Sequence, residues 1–419
     1  MKKVFSLPAV AALLSLSAAA QHSVLYHNAT LINPATEQQI ADAWLLVKDG
    51  RITQVGQKQA DVVLPTATQL VDLQRQYVMP GLIDVHLHLT AGPMRVEIQD
   101  GKPVITLKGH TELTRYHAIS TLATGVTTAF SPAGDTEANA EYMRQQQAGN
   151  WPGPKLTYAG FVFEPTPILG GSVYPKSEAD WQAEIVSQKA LGAQYIKLYQ
   201  GLSKEEVAMG IRLAQAAGLK AIAHLDNVSW QYAADLGIDA LTHALPTSPE
   251  LLTGEDKAAY LAERKSPHSG RFTYSWFKHV DYDNAPMQRL FATLAKQQTR
   301  IDLTLVANEL IYFARELETL YPEPDMWVFH PQMRKGWRTA LAAPSYDWTA
   351  TEVASAKQQM PKVQQLFKRL YDAGVPLAIG TDSVASGPFY LRELMLSQGA
   401  GLTNWQVLKL ATVGGARHL

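Results

Sequence analysis

The chain has 419 residues, 46% apolar and 18% charged, the balance of an ordinary globular protein with a large core and too long for one small domain. Its 37 basic and 38 acidic residues leave a formal charge of −1; no basic block stands out, so neither nucleic acid nor an anionic membrane surface is indicated as a partner. Cysteine is absent, which excludes disulfides, thiolate metal ligands, a cysteine nucleophile and a lipidated N-terminal cysteine.

Residues 1–20 read as a bacterial-type secretory signal peptide: Lys2 and Lys3, an apolar stretch from Val4 to Leu16, then Ser17-Ala18-Ala19-Ala20. Cleavage near Ala20 would leave an exported, periplasmic or secreted chain with no membrane association. Loss of the two lysines takes its formal charge from −1 to −3. The stretch is short for a bilayer span, although a retained N-terminal anchor is the competing reading.

Residues 21–80 read as a small β-rich domain. Val24-Leu25-Tyr26, Ala29-Thr30-Leu31-Ile32 and Trp44-Leu45-Leu46-Val47 are separated by Asn33-Pro34 and by Lys48-Asp49-Gly50-Arg51. Asp-Gly between two apolar runs signals a hairpin. Ile52 to Val55 and Leu70 to Leu73 extend the pattern.

From residue 81 to 419 short apolar strands alternate with helical patterns. The expected strands are 82–88, 126–130, 155–161, 194–199, 219–224, 239–243, 301–306 and 376–381, with helices such as Ser177 to Leu191 (Ser177 as N-cap) and Lys204 to Ala217 between them. Eight such strands predict an α/β fold, a (β/α)8 barrel of the TIM type. A doubly wound open sheet is the alternative, but no Gly-x-Gly-x-x-Gly turn follows an early strand. The connections 245–300 and 307–375 exceed ordinary loops and should hold extra helices or a lid.

His86 and His88 stand on alternate residues of the run after Pro80-Gly81. In a strand, residues two apart face one side, so both imidazoles converge, and imidazole suits zinc and its neighbours. The bland reading is a half-buried strand whose histidines meet carbonyls or solvent. Lys197, His224, His243 and Asp382 fall at or near the C-terminal ends of later predicted strands, where such barrels carry their active sites. Singly, each has an ordinary explanation: a rim histidine, a lysine reaching to water, an aspartate capping a turn. Together they are harder to dismiss.

At this point the chain resembles the amidohydrolase superfamily of metal-dependent hydrolases. The matching segments are Pro80-Gly81-Leu82-Ile83-Asp84-Val85-His86-Leu87-His88, Gly125-Val126-Thr127-Thr128, Tyr195-Ile196-Lys197, His224, His243, Gly380-Thr381-Asp382-Ser383 and Ala411-Thr412-Val413-Gly414-Gly415-Ala416-Arg417. The likeness is closest to the branch of imidazolonepropionase and metal-dependent Xaa-Pro dipeptidases. It implies one metal on His86, His88 and Asp382, a second on His224 and His243, and a carbon dioxide-derived carbamate on Lys197 bridging them. Two divalent ions, zinc by expectation, would supply a metal-bound hydroxide for attack on a C–N bond in an amide, dipeptide or cyclic amide. Asp382 would carry the proton. A single-metal site remains open if Lys197 stays unmodified, and His243 could bind substrate instead of metal.

Substrate clues are fewer. Tyr199, Ser172 and His110 are candidates for contact with a small-molecule substrate; His117 is expected on a helix surface. Tyr274, Trp276, Phe277, Trp327, Phe329, Trp337, Tyr346 and Trp348 could wall an apolar pocket or simply pack extra helices. Deaminases of the superfamily carry a glutamate where this chain has Asn227, which counts against a mononuclear aminohydrolase. A lactonase or phosphotriesterase-like esterase, a metal carrier and a catalytically dead barrel scaffold are the other readings, and a homo-oligomer is compatible with all of them. The resemblance also implies strands returning to the small β-domain after the Gly-Ala-Arg helix. The sequence given ends at Leu419, so that domain, a β-sandwich by resemblance, is expected to be incomplete, with open edges.

Overall fold

The computed structural model describes residues 23–58, 63–93, 95–99, 102–106, 108–165, 169–170, 172–264, 271–336 and 348–419. The expected signal peptide lies outside them. The chain divides into two compact units, Met1–Pro80 and Gly81–Leu419.

In the first unit, β1 (Ser23–Asn33), β2 (Gln38–Lys48), β3 (Arg51–Gln57), β4 (Gln69–Asp72) and β5 (Tyr77–Val78) form one sheet in the order β3-β2-β1-β4, with β5 also on β1. The Asp-Gly signal holds: Lys48 pairs with Arg51 across Asp49 (φ 50°) and Gly50 (φ 74°). Two positive φ values give a turn whose twist matches the strands it joins. The runs expected as two strands at 24–26 and 29–32 are one strand, irregular in register between Tyr26 and Ala29, with Asn28 at φ 56°. Leu25, Trp44 and Leu46 form one apolar cluster of this unit, and Ala29, Leu31 and Ala43 another.

The second unit contains β6 (Leu82–Asp84), the hairpin β7 (Arg95–Gln99) and β8 (Lys102–Thr106), then β9 (Val126–Ser131), β10 (Lys155–Phe163), the two-residue β11 (Leu169–Gly170) and β12 (Ser172–Val173), β13 (Tyr195–Leu198), β14 (Lys220–Ala223), β15 (Ala240–Leu241), β16 (Arg300–Leu303) and β17 (Leu377–Ile379). Eight of these, β6-β9-β10-β13-β14-β15-β16-β17, run parallel in sequence order around a barrel. The seam between last and first is closed by Val85 N–H to Ile379 O (2.9 Å), Asp382 N–H to His86 O (2.8 Å) and His88 N–H to Ser383 O (2.6 Å). Gly380 permits that closeness, since a Cβ there would stand 2.7 Å from His86 Cβ.

Alternation along the strands sorts side chains into layers. Ile83, Val85, Phe130, Ala159, Tyr195, Ile222, Ala240 and Ala378 form one inner cluster. Their outward neighbours, Ile196, Leu198, Ala221, Ala223, Leu241, Ile301, Leu303, Leu377 and Ile379, belong to the large core shared with the helices. Residues two further along β13, β14, β15 and β17 (Lys197, His224, Thr242 and Gly380) therefore form the next layer toward the C-terminal mouth.

The first strand departs from this rule. It ends at Asp84, earlier than expected, and Val85 and His86 both face the barrel interior, Val85 within the inner cluster and His86 beside His243. His86 O accepts from both Thr381 and Asp382 N–H (3.3 and 2.8 Å), so two residues after β17 oppose one after β6, a bulge on the last strand's side of the seam. Likewise β16 ends at Leu303 and a helix, Leu305–Tyr312, begins where the strand was expected to continue. The long connections do carry helices, among them Gly254–Glu263, Phe272–His279, Ala285–Gln297 and Ala350–Asp372. Tyr274, Trp276, Phe277, Phe329 and Trp348 are buried among them, while Trp327 is exposed. These aromatics pack helices; Trp337 and Tyr346 lie outside the described residues. Among the described residues no helix is long and apolar enough to cross a membrane.

Candidate active site

The site lies where β6 meets β17. His86 Nε2 and His88 Nε2 each stand 3.1 Å from Asp382 Oδ1. The other ring nitrogens are engaged from behind: His86 Nδ1 lies 3.0 Å from Asp302 Oδ2, and His88 Nδ1 lies 2.9 Å from Ala133 O. Since a carbonyl or carboxylate oxygen can only accept, both rings donate through Nδ1. A neutral ring protonated on Nδ1 would offer its Nε2 lone pair to a cation seated between it and Asp382.

His243 packs against His86 with ring centroids 4.6 Å apart, and against His224 at 4.5 Å. Its Nδ1 is 3.0 Å from Thr304 Oγ1 and 3.8 Å from Asp382 Oδ2. His243 and Asp382 have φ of 75° and 56°. Non-glycine residues avoid this region, and its use at both positions marks backbone held in place by its surroundings.

Lys197, 2% exposed, donates to Thr242 Oγ1 at 3.2 Å. Burial lowers its ammonium to about 8, against the opposing pull of Asp302 and Asp382. His224 is buried; its Nε2 meets Gln200 Nε2 at 3.3 Å and its Nδ1 has no hydrogen-bond partner. Burial and the neighbouring Lys197 charge push His224 down to about 3. Burial also works against a charge on His86, but Asp302 and Asp382 outweigh it and raise the ring to about 9. Desolvation would raise Asp382; His86 and His243 instead hold it well below the usual carboxylate range. Two carboxylates thus face three closely packed imidazoles, with the charge on His86 balancing them in part.

The donor set fits a divalent metal. His86, His88 and Asp382 offer three ligand atoms within 4.8 Å of one another, as do His86, His243 and Asp302. Ligands around a tetrahedral ion with bonds of ~2.0–2.1 Å stand about 3.3 Å apart, close to the 3.1 Å separations here. Nitrogen and carboxylate donors suit zinc and similar ions. His224 belongs to neither group of three, although its unpartnered nitrogen is buried against His243.

The remaining candidates are placed differently. Tyr199 touches His224, ring to ring at 5.0 Å, and burial raises its phenol above the ordinary range. Ser172 pairs in register with Val162 beside β10, and no described contact ties it to the cluster. His110 caps the helix Thr111–Ala123, accepting from Leu113 N–H at 3.4 Å, and lines an open groove of about 690 Å³ with Arg115, Tyr116 and His330. His117 is not on a surface: it is fully buried, and its Nε2 accepts the His330 N–H at 3.3 Å. Phe329 packs on its ring, so the helix face expected to meet water is covered by residues 327–330. Asn227, in the position of the deaminase glutamate, accepts from Arg264 at 3.1 Å and offers no carboxylate. Asp302, Thr304, Thr242 and Gln200 were not anticipated. The signal for Asp302 was available, as a lone charge inside the apolar stretch Ile301-Asp302-Leu303.

Comparison with known proteins bears on the family and the fold. No curated protein sequence matches the chain. Among solved structures, a bottromycin amidohydrolase superposes with a TM-score of 0.66 at 19% identity, covering 95% of this chain and 78% of that one. A Xaa-Pro dipeptidase with methionine bound in its active site gives 0.61 at 17%, covering 94% and 88%. The ochratoxinase of A. niger gives 0.61 at 16%, covering 95% and 84%. At these identities the likeness is one of fold. The sequence profile of the amidohydrolase family matches residues 77–419, and the chain belongs to that family.

Proposed function

We propose that the protein is a metal-dependent hydrolase that cleaves the C–N bond of a small amide, such as a dipeptide or a cyclic amide. The observation that carries this reading is the meeting of His86 Nε2, His88 Nε2 and Asp382 Oδ1 at 3.1 Å contacts on the solvent side of the barrel. Asp382 keeps 31% of its side chain exposed, so an entering molecule can reach it.

His86, His88 and Asp382 would hold one ion. His224 and His243 would hold a second, with Lys197 as its carbamate between the two. Lys197 suits that change: it is buried, its amine is shifted toward the neutral form that adds carbon dioxide, and no carboxylate among the described residues lies within ion-pair distance. When bound, such ions supply Lewis acidity, polarising the substrate carbonyl and lowering the pKa of water toward neutrality.

The residues do the rest. Asp382, held ionised, accepts a proton from the attacking water and delivers it to the departing nitrogen. The carbonyl carbon gains oxygen as the C–N bond breaks, and the amine leaves carrying the proton. Asn227 cannot perform the deaminase shuttle, which favours amide hydrolysis over deamination.

The test is a panel of Xaa-Pro dipeptides, N-acyl amino acids, lactones and organophosphates, assayed with metal analysis before and after chelation. Hydrolysis of an amide member, lost with the metal and restored by zinc, is expected. Undiminished hydrolysis in fully stripped protein would overturn the proposal, and exclusive cleavage of lactones or organophosphates would redirect it to an esterase.

A further inference from the structure

We infer that Asp302 is the positioning residue of this site, one carboxylate that fixes two histidines on different strands. The inference rests on reading His86, His88 and Asp382 as a cation site. Asp302 is fully buried at the C-terminal end of β16. Its Oδ2 accepts from His86 Nδ1–H at 3.0 Å, and its Oδ1 accepts from the His243 backbone N–H at 2.9 Å. Each oxygen serves one partner.

These bonds have separate consequences. A neutral imidazole has one proton and one lone pair. With the proton on Nδ1 facing Asp302, the lone pair of the neutral ring lies on Nε2, where it would meet a cation seated beside Asp382. The opposite tautomer would point a lone pair at a buried carboxylate, so Asp302 selects the form able to bind metal from the mouth. The bond to His243 N–H holds a backbone that sits at φ 75°, a conformation that persists only where neighbours fix it. Thr304, two residues on, meets His243 Nδ1 at 3.0 Å. The end of β16 thereby orients two imidazoles, His86 two residues beyond β6 and His243 two residues beyond β15.

A rival role exists, because His86, His243 and Asp302 also lie within 4.8 Å of one another. Asp302 as a direct ligand would require His86 to give up its Nδ1 proton and its present partner. The geometry favours support over ligation.

The experiment is zinc binding by wild type, Asp302→Asn and Asp302→Ala, followed by competition with a chromophoric chelator. Zinc equivalents, zinc affinity and amide hydrolysis are each recorded. Asp302→Asn is expected to keep the wild-type stoichiometry, bind zinc roughly 10–100-fold more weakly, and lose kcat with little change in KM. Equal affinity in wild type and variant overturns the inference, and so does loss of one whole equivalent, which would make Asp302 a ligand. Should neither variant fold, zinc-loaded wild type with ¹⁵N-labelled histidine decides: His86 must keep its proton on Nδ1, and metal on Nδ1 is fatal. A wild-type protein that takes up no zinc removes the underlying site reading, a result distinct from unequal or equal binding by the variants.

Discussion

Asp84 and Thr381 lock the first and last barrel strands together. The Asp84 carboxylate accepts the Thr381 N–H at 3.1 Å and its hydroxyl at 2.8 Å, and also takes the Ser386 hydroxyl at 2.8 Å and the His86 N–H at 3.2 Å. It is fully buried, with four donors around two oxygens. Asp84 lies between the seam and the helices, two residues before His86, and Thr381 directly precedes Asp382. The carboxylate thus sets the distance between the two halves of the proposed metal site.

Asp84→Asn should therefore destabilise the protein by about 1–3 kcal/mol, because an amide nitrogen would face donors that need an acceptor. Zinc content should fall with it. Urea unfolding monitored by tryptophan fluorescence, alongside zinc analysis, checks both, and wild-type values for both would show that the knot does not hold the site.

Gly380 tests the same seam from the other strand. A Cβ there would lie 2.7 Å from His86 Cβ and 3.1 Å from His86 N. Gly380→Ala must push β17 from β6, at a cost of about 1–3 kcal/mol from overpacking. A displacement of about 1 Å at His86 should lower the hydrolytic rate on the order of 100-fold. A variant of normal rate would mean that the seam tolerates widening.

Lys197→Ala probes the second ion. Among the described residues its buried amine hydrogen-bonds to Thr242, so simple truncation should not strand a charged partner. Loss of a true ligand should exceed the roughly 10–100-fold penalty of losing a supporting group, and zinc should drop from two equivalents to one. Acetate or propionate, filling the vacated space with a carboxylate, should restore part of the rate. Full activity without rescue would eliminate the bridged arrangement.

Asp382→Asn separates holding from proton transfer. The amide keeps an oxygen for His88 and an ion but cannot accept a proton. Turnover should fall by ~10²–10⁴-fold, while most of the zinc stays. An unchanged rate would remove Asp382 as the proton carrier.

Much of this arrangement was legible in the sequence for a plain reason. Barrel strands are short, alternate and end at one face, so His224, Lys197 and Asp382 could be placed by counting from apolar neighbours, whereas His243 follows the inward Thr242 and reaches the site through its positive φ. His86 and His88 do face one place, but not as members of an unbroken strand. The bulge at Thr381-Asp382 forms against His86 O, nearly three hundred positions away, and nothing local announces it. Asp302 is a charge in an apolar run that sequence reasoning passed over, because its partners lie beyond other strands. His117 was misjudged because its helix is covered by the segment Trp327–His330, a contact that no local pattern encodes.

Glu393 supplies a pH dependence away from the site. It is fully buried on the helix Gly387–Gly399, and its Oε2 accepts from Val306 N–H at 2.7 Å, at the start of the helix Leu305–Tyr312, whose N-cap Thr304 makes no side-chain cap. Burial raises its carboxyl to about 8; the backbone bonds from Val306 and Leu305 oppose the shift, while Asp84 and Glu309 add to it. An unfolded glutamate titrates near its model value of 4.5. Between these values the folded protein binds one proton more than the unfolded chain, so stability falls as pH rises, by at most about 1.4 kcal/mol per pH unit from this group. Below 4.5 and above about 8 its contribution is flat. Wild type should consequently unfold at lower urea concentration at pH 8 than at pH 6. Glu393→Gln, uncharged throughout, should lose most of that difference while its carbonyl oxygen still accepts from Val306. Identical pH slopes in the two proteins would show that Glu393 is ionised in the fold.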